Sequence, residues 1–407
     1  MHLVYIHQHF CTNEGSSGTR SYDIARHLAA QGHRVTMVSG ISDSCGVERP
    51  AWYRLFMRRR MEGFDVIFCN VFYSNKLKPW RRTWSFCWFA VLAALRGLFL
   101  RKVDLIFATS TPLTVGIPGY LLSKLHWAPF VFEVRDIWPE SLVRSGWVTE
   151  KKLSIRLMAG LEAFVYKRAC KILVVSPGFE VRLVERGVPA EKLKTIPLGA
   201  DGDLFREVTP DESFREQYGL QGKFVAIYTG AHGKANGLDY ILDAAERSKD
   251  RPEIAYVLLG SGSERDRLRE EARSRGLTNV VFADAVSKVR LPGILAVCQV
   301  GLMILKDIGE PRPVLPNKIF DYMFMGMPAV VNFAGPTWDM VQEEECGLFA
   351  DPLHPESLAD CVARLMGDCE LARRLGENGR QAARGKYDRG IIADQLAEAF
   401  QDVLKRR

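Results

Sequence analysis

RPVLPNKIFDYMFMGMPAVV, residues 312–331, reads as an extended arm, a helix and a buried apolar strand in direct succession. Pro316 marks the helix start, where the N–H groups of the first turn have no partner inside the helix. Arg312 and Lys318 add positive charge beside those groups and Asn317 opens the turn, so the stretch suits a phosphate. Asp321, one turn onward, is placed to accept from two ribose hydroxyls. A helix delivering such groups and leading through Gly326 and Pro328 into a strand at Ala329–Asn332 is the unit of a parallel, helix-covered sheet.

The same alternation runs outward along the chain. Short apolar or β-branched runs at Leu3–His7, Val35–Ser39, Val66–Cys69, Leu105–Ala108, Phe130–Glu133 and Ile172–Ser176 are separated by helical stretches of crossover length. A second series follows at Phe224–Tyr228, Ala255–Leu259, Val280–Phe282, Gly301–Met303 and Ala329–Asn332. Both series pause in the turn-rich stretch Pro197–Val208. The sequence therefore predicts an α/β protein of two domains, residues 1–203 and 204–387. The amphipathic stretch Ile391–Leu404, within residues 388–407, forms a last helix that packs back on the first domain. A length of 407 residues provides for two cores.

Composition narrows the function. Hydrophobic residues at 47% and charged residues at 25% exclude a disordered chain and a polytopic membrane protein. The nine cysteines are scattered without a CxxC pair, which points to reduced thiols in cytosol, and no export signal is visible at the start. The net charge of +7 is uneven: residues 1–200 hold 28 Lys and Arg against 15 Asp and Glu, leaving 27 against 33 for the rest. The first half is thus fitted to an anionic partner. No nucleic-acid module is recognisable, so that partner is taken as lipid or phosphorylated acceptor.

Three further stretches carry chemistry. Gly15-Ser-Ser-Gly18 follows the first strand and opens a helix, where glycines let backbone amides approach a phosphate or sugar. Thr229-Gly230 to Lys234 and on to Gly237 repeats that arrangement in the second half, and Gly260-Ser-Gly262 ends the next strand. Phe130–Ser141, FVFEVRDIWPES, ends a buried strand in Glu133, Arg135 and Asp136, at the carboxyl edge where open α/β sheets bind ligands. His7 and His9 lack a neighbouring carboxylate or Cys cluster and read as core or cleft histidines, so no metal site is expected.

Residues 76–102 stand apart. They hold seven basic residues, no acidic one and three tryptophans, with Trp84, Trp88, Val91, Leu95 and Leu98 on one helical face. Aromatics beside cations suit a helix lying at a membrane surface, and the run is too short before Arg96 to span one.

Together the early glycine loop, ATSTPLTVG at 108–116, FEVRDIWPES, LGADGDLF at 198–205, the PNKIFDYM helix and CGLFADPLHPESLAD at 346–360 resemble the family 4 retaining glycosyltransferases, and within them the bacterial branch that builds colanic acid, O-antigen and capsule, including fucosyl- and N-acetylfucosaminyl-transferases. The resemblance implies the GT-B fold, two Rossmann-like domains facing across a cleft, the first on the acceptor side and the second holding the nucleotide-sugar. It implies transfer of a sugar, with retention and without metal or other cofactor, from a nucleotide-diphosphate donor, a UDP-sugar, to a saccharide on polyprenyl diphosphate. The place implied is the cytoplasmic face of the cell membrane, touched peripherally through residues 76–102.

Carried over by position, Gly15 and Gly18 face both substrates, and Gly230, Lys234, Gly260, Gly262, Arg312, Asn317, Lys318 and Asp321 hold the donor. Glu133, Arg135 and Asp136 are the catalytic candidates. Asp321 takes the place of the second Glu of the family's paired-Glu motif, while Pro313 stands at the first. The family's usual phosphate-binding Arg and Lys fall on Ala231 and Asn236, and its usual cleft His falls near Arg135. Two other functions fit the same fold. A nucleotide-sugar 2-epimerase needs no lipid contact, which the basic Trp-rich stretch opposes. A catalytically silent partner subunit would account for the Pro313 and Arg135 departures.

Overall fold

A computed structural model describes residues 1–74, 77–138, 140 and 153–406. The chain divides into two compact units, one of Met1–Leu198 with Arg389–Arg407 and the other of Gly199–Asp388. Each is built round one twisted sheet.

The first unit holds β1 (His2–Ile6), β2 (Arg34–Ser42), β3 (Phe56–Met61), β4 (Phe64–Tyr73), β5 (Leu105–Thr109), β6 (Phe130–Val134), β7 (Lys171–Val174) and β8 (Leu193–Thr195). Their order across the sheet is β3-β4-β2-β1-β5-β6-β7-β8. All neighbours are parallel except β3, which runs antiparallel to β4 with Arg58 opposite Ile67. β1, β5 and β6 are buried at every residue, which is why they read as continuous apolar runs. β3, FMRRRM, escapes that pattern because it is an edge strand whose three arginines are exposed.

The second unit holds β9 (Phe224–Thr229), β10 (Ile254–Leu259), β11 (Val280–Ala283), β12 (Val300–Met303), β13 (Ala329–Val331) and β14 (Gly347–Phe349). Its order is β11-β10-β9-β12-β13-β14, parallel throughout. The helix anticipated after Pro316 is Asn317–Met325. Pro316 is its N-cap, and Gly326 ends it at φ +66°.

Strand order locates the candidate site in each unit. In the first, the chain builds outward from β1 through β2 to β4, then jumps back across β1 to β5. In the second it reverses between β9 and β12. Beyond the carboxyl ends of strands at such a reversal the flanking crossovers diverge and leave a crevice. The loops that occupy these places are His7–Gly18 after β1, Ser110–Pro112 after β5 and Gly230–Gly237 after β9.

The last helix, Arg389–Lys405, belongs to the first unit. Ile392, Leu396 and Phe400 are buried in one core with Leu3, Tyr5, Ile24 and Leu28. The Phe400 ring meets Phe107 edge-on at 5.0 Å.

Candidate functional site

At the reversal in the first sheet, the helix Arg20–Ala30 begins with a fully buried guanidinium. Arg20 donates to Glu133 at 2.8 and 3.1 Å, and to the carbonyl oxygens of Pro197 and Leu198 at 2.7 and 2.9 Å. The other oxygen of Glu133 accepts from Thr109 at 2.6 Å. Burial alone would raise the Glu133 pKa, but the Arg20 charge, then Arg135 and the Thr109 hydroxyl, hold it below the ordinary value. Glu133 has no exposed side-chain surface and both oxygens are engaged. It is thus placed to lock the helix start to β5 and β6 rather than to meet a substrate, the first departure from the role the sequence suggests.

Arg135, two residues on, has different partners. Its guanidinium donates to His7 Nε2 at 3.3 Å, and its backbone N–H donates to Ser110 Oγ at 3.0 Å. Since arginine only donates, His7 Nε2 accepts, and the ring proton sits on Nδ1, 2.8 Å from Ser21 Oγ. Burial, then the charge of Arg135, holds the His7 pKa well below its ordinary value, so the imidazole is neutral. Arg135 has no ion pair among the described residues and is half-buried. Asp136 is half-buried beside it.

Gly15 serves the loop itself: a Cβ there would stand 2.3 Å from both Cys11 Sγ and the Ser44 carbonyl oxygen. Gly18 lies half-buried just before the helix. The exposed Ser16 and Ser17 are left at the tip.

In the second unit, β9 leads into Gly230, held at φ +136°. A Cβ on Gly260 would fall 1.9 Å from the Gly230 carbonyl oxygen, and one on Gly262 would fall 2.3 Å from that of His232. Gly260 and Gly262 therefore permit two successive loops to stack. Lys318 reaches back from the helix Asn317–Met325 until its Nζ is 3.2 Å from where a Gly230 Cβ would be. It lies over the Tyr228 ring, 3.5 Å from the centroid, and has no carboxylate partner among the described residues. Burial lowers its pKa to about 7. A half-buried ammonium with neither a counterion nor full hydration gains most from an anion beside it.

Asp321 is already engaged. Lys288 donates to both of its oxygens at 2.6 Å, a pair across 33 positions that nothing in the sequence announces. The free ribose acceptor expected there is instead a bidentate ion pair in this structure. Lys234 is exposed on the short turn Lys234–Asn236. Arg312 is half-buried on the arm before the helix, where its N–H donates to the Ala334 carbonyl. The residue missed by sequence reasoning is His232. It is wholly buried, both ring nitrogens lack a partner among the described residues, and its pKa is lowered to about 4 by burial, Arg265 and Lys318.

Two family models match the chain: a glycosyl transferase 4-like domain over residues 15–199 and glycosyl transferases group 1 over residues 210–382. The chain belongs to the family 4 glycosyltransferases. Among its relatives is WcaI of Escherichia coli (strain K12), a glycosyl transferase named for colanic acid biosynthesis. The two are 26% identical over 77% of this chain and 79% of WcaI. The sucrose-phosphate synthase of Thermosynechococcus elongatus superposes with a TM-score of 0.78 at 18% identity, covering 100% of both chains. Anabaena HepE in complex with UDP gives 0.71 at 18%, over 99% of this chain and 100% of HepE. The fold of this glycosyltransferase is GT-B.

The departures from the family pattern now have local reasons. Where a cation is usual, Asn236 donates its amide to the Ala231 carbonyl at 2.8 Å and braces the loop. A positive charge reaches the same turn from the helix Asn317–Met325, where Lys318 Nζ stands beside Gly230. This gives the glycosyltransferase an expected pH signature. With the Lys318 pKa lowered to about 7 by burial, a diphosphate that binds beside it above that pH would require Lys318 to take up a proton. Affinity for UDP, measured calorimetrically between pH 7.5 and 9, falls by roughly tenfold per unit, and the slope disappears in Lys318→Met. A flat profile in the unaltered protein would remove Lys318 from the site.

Proposed function

We propose that this glycosyltransferase moves a sugar, with retention and without a metal ion, from a UDP-sugar to a saccharide carried on polyprenyl diphosphate, in the building of a cell-surface polysaccharide. The observation that carries this reading is the Lys318 ammonium, without a carboxylate partner among the described residues, set against the Gly230 turn at the reversal of the second sheet. WcaI and the O-antigen chain mannosyltransferase C of Escherichia coli are named for such polymers, and HepE is solved with UDP, which supports the class of product and the base.

Breaking the bond between the anomeric carbon and the phosphate oxygen builds negative charge on the departing diphosphate. Lys318, with Arg312 and Lys234, stabilises that charge, and a fixed cation costs no reorganisation when the bond breaks. The acceptor hydroxyl attacks from the same face as the departing phosphate. Its proton passes to the phosphate oxygen that has just lost carbon, so the enzyme needs no base. Asp136 orients the hydroxyl, while Glu133 holds the scaffold under Arg135. Asp136→Asn then lowers turnover about 10²-fold, the range of a positioned group, with UDP affinity unchanged. Full turnover in that variant would take Asp136 out of the mechanism.

A thermal-shift series with UDP, GDP and dTDP tests the donor base, since a ligand that binds the folded state stabilises it by mass action. A shift with GDP or dTDP alone would overturn the choice of UDP. The acceptor reading places the chain at the inner face of the membrane, touching it through residues 76–102.

A further inference from the structure

Among the described residues, 21 large apolar side chains are exposed, and only Val289 and Leu353 of these lie in the second unit. Fourteen sit on three helices of the first unit and the turns that follow them. On Pro79–Gly97 the exposed face is Trp84, Trp88, Val91 and Leu95, while Phe89, Leu92 and Ala93 are turned into the core. On Gly116–His126 it is Ile117, Leu121 and Leu125, and on Leu153–Arg168 it is Leu153, Leu157 and Phe164. Each set falls at helical spacing on the side away from the sheet.

The three faces are continuous. A Cβ on Gly97 would lie 2.3 Å from the Leu122 side chain, and one on Gly116 would lie 2.5 Å from that of Val165, so a side chain of each helix packs directly on the backbone of its neighbour. Tyr120 and Phe164 meet edge-on at 5.2 Å, with Arg168 over both rings. These helices all cover crossovers running the same way across the sheet, from β4 through to β7, and right-handed crossovers place them on one side of it. On the opposite side, the helices Arg20–Ala30 and Arg389–Lys405 expose no large apolar residue.

Charge selects the occupant. The three helices carry Arg81, Arg82, Arg96, Lys124, Arg156, Lys167 and Arg168. Their one acid, Glu162, is buried and paired with Arg186. Arg81 lies 5.2 Å from the Trp80 ring centroid, and Trp84 stacks on Trp88. A broad apolar plane set with cations and lacking exposed acids matches the interface of an anionic bilayer. No helix among the described residues is long and apolar enough to cross a membrane, so contact lies along the surface.

We propose that the outer faces of all three helices form one docking plane for anionic lipid, so that the membrane-facing side of the first unit is an entire helical layer. The proposal rests on the reading of residues 76–102 as a bilayer contact and enlarges it by two helices. Co-sedimentation of the full chain with vesicles of phosphatidylcholine, alone or mixed with phosphatidylglycerol, tests it. Three forms are compared: the unaltered protein, Trp84→Ser with Trp88→Ser, and Leu121→Ser with Leu125→Ser and Leu157→Ser. The replaced side chains are exposed, and an unchanged thermal midpoint and UDP affinity report an intact fold.

Both variants are expected to bind the mixed vesicles at least about tenfold more weakly, and the unaltered protein to prefer mixed over neutral vesicles. Loss in the tryptophan variant alone would overturn the enlargement and leave the single-helix contact standing. No loss in either, or equal binding to neutral vesicles, would overturn the anionic-lipid reading, as would a dimer in sedimentation velocity that the leucine variant dissociates. None of these outcomes touches the transferase reading, which the UDP arm follows separately.

Discussion

Lys318→Met lowers kcat/KM for sugar transfer by about 10²–10³-fold, the range seen when one fixed group is taken from a developing oxyanion. Methionine preserves the length of the side chain, and its thioether packs well against the Tyr228 ring that now lies under the ammonium. The substitution removes a poorly solvated charge without opening a cavity, so the thermal midpoint stays level or rises. That pairing of lost activity with retained stability separates a binding role from a structural one. Lys234→Met, on an exposed turn outside the Lys318 contacts, serves as the comparison and costs less than about tenfold. Activity within a few-fold of the unaltered enzyme in Lys318→Met would mean that the diphosphate is held elsewhere.

Arg20→Leu destabilises the first unit by about 3–5 kcal/mol, because it strands a buried carboxylate and two backbone carbonyls together. Glu133 has no exposed side-chain surface, and Pro197 and Leu198 accept from the same guanidinium. Seven of the eight tryptophans fall within Met1–Leu198, so intrinsic fluorescence in a urea titration follows that unit. Adding Glu133→Gln to Arg20→Leu recovers part of the loss, since a neutral amide is easier to bury than a lone carboxylate. A shift under about 1 kcal/mol in the single variant would show that the pair contributes little to holding the helix start.

These two residues also mark how far sequence reading reaches. Strands buried on both faces announce themselves as apolar runs, and all eleven anticipated strands are present in the structure. β3 was hidden by the arginines that suit an edge. β8 and β14 are three residues long and fall below any periodic signal. Lys318 could be assigned to the donor side from its place after Pro316. Its lack of a counterion could not, because that depends on which acids the fold brings near. Glu133 shows the converse: its place at a strand end suggests chemistry, and only the return of Arg20, 113 positions earlier, reveals that it is occupied. Asp321 differs from the expectation for the same reason, since Lys288 reaches it from 33 positions away.

On residues 76–102, sequence pattern alone left open whether the tryptophans pack inward. The helix places Phe89, Leu92 and Ala93 in the core and leaves Trp84 and Trp88 outside, so the aromatic face is surplus to folding. The adjoining leucines of the next two helices were invisible to a single-helix reading, since spacing along the chain does not report which helices lie side by side.

The final helix has a consequence for the order in which the protein is made. Ile392, Leu396 and Phe400 complete a core whose other members include Leu3 and Tyr5, and Arg389 pairs with the buried Asp23 at 2.6 Å. The core around Leu3 and Tyr5 thus waits for a helix that begins at Arg389. The second unit, continuous from Gly199 to Asp388, has all of its sequence available sooner. Until Arg389–Lys405 has been made, the nascent first unit keeps an apolar seam uncovered, and a chain cut short before Arg389 never closes it.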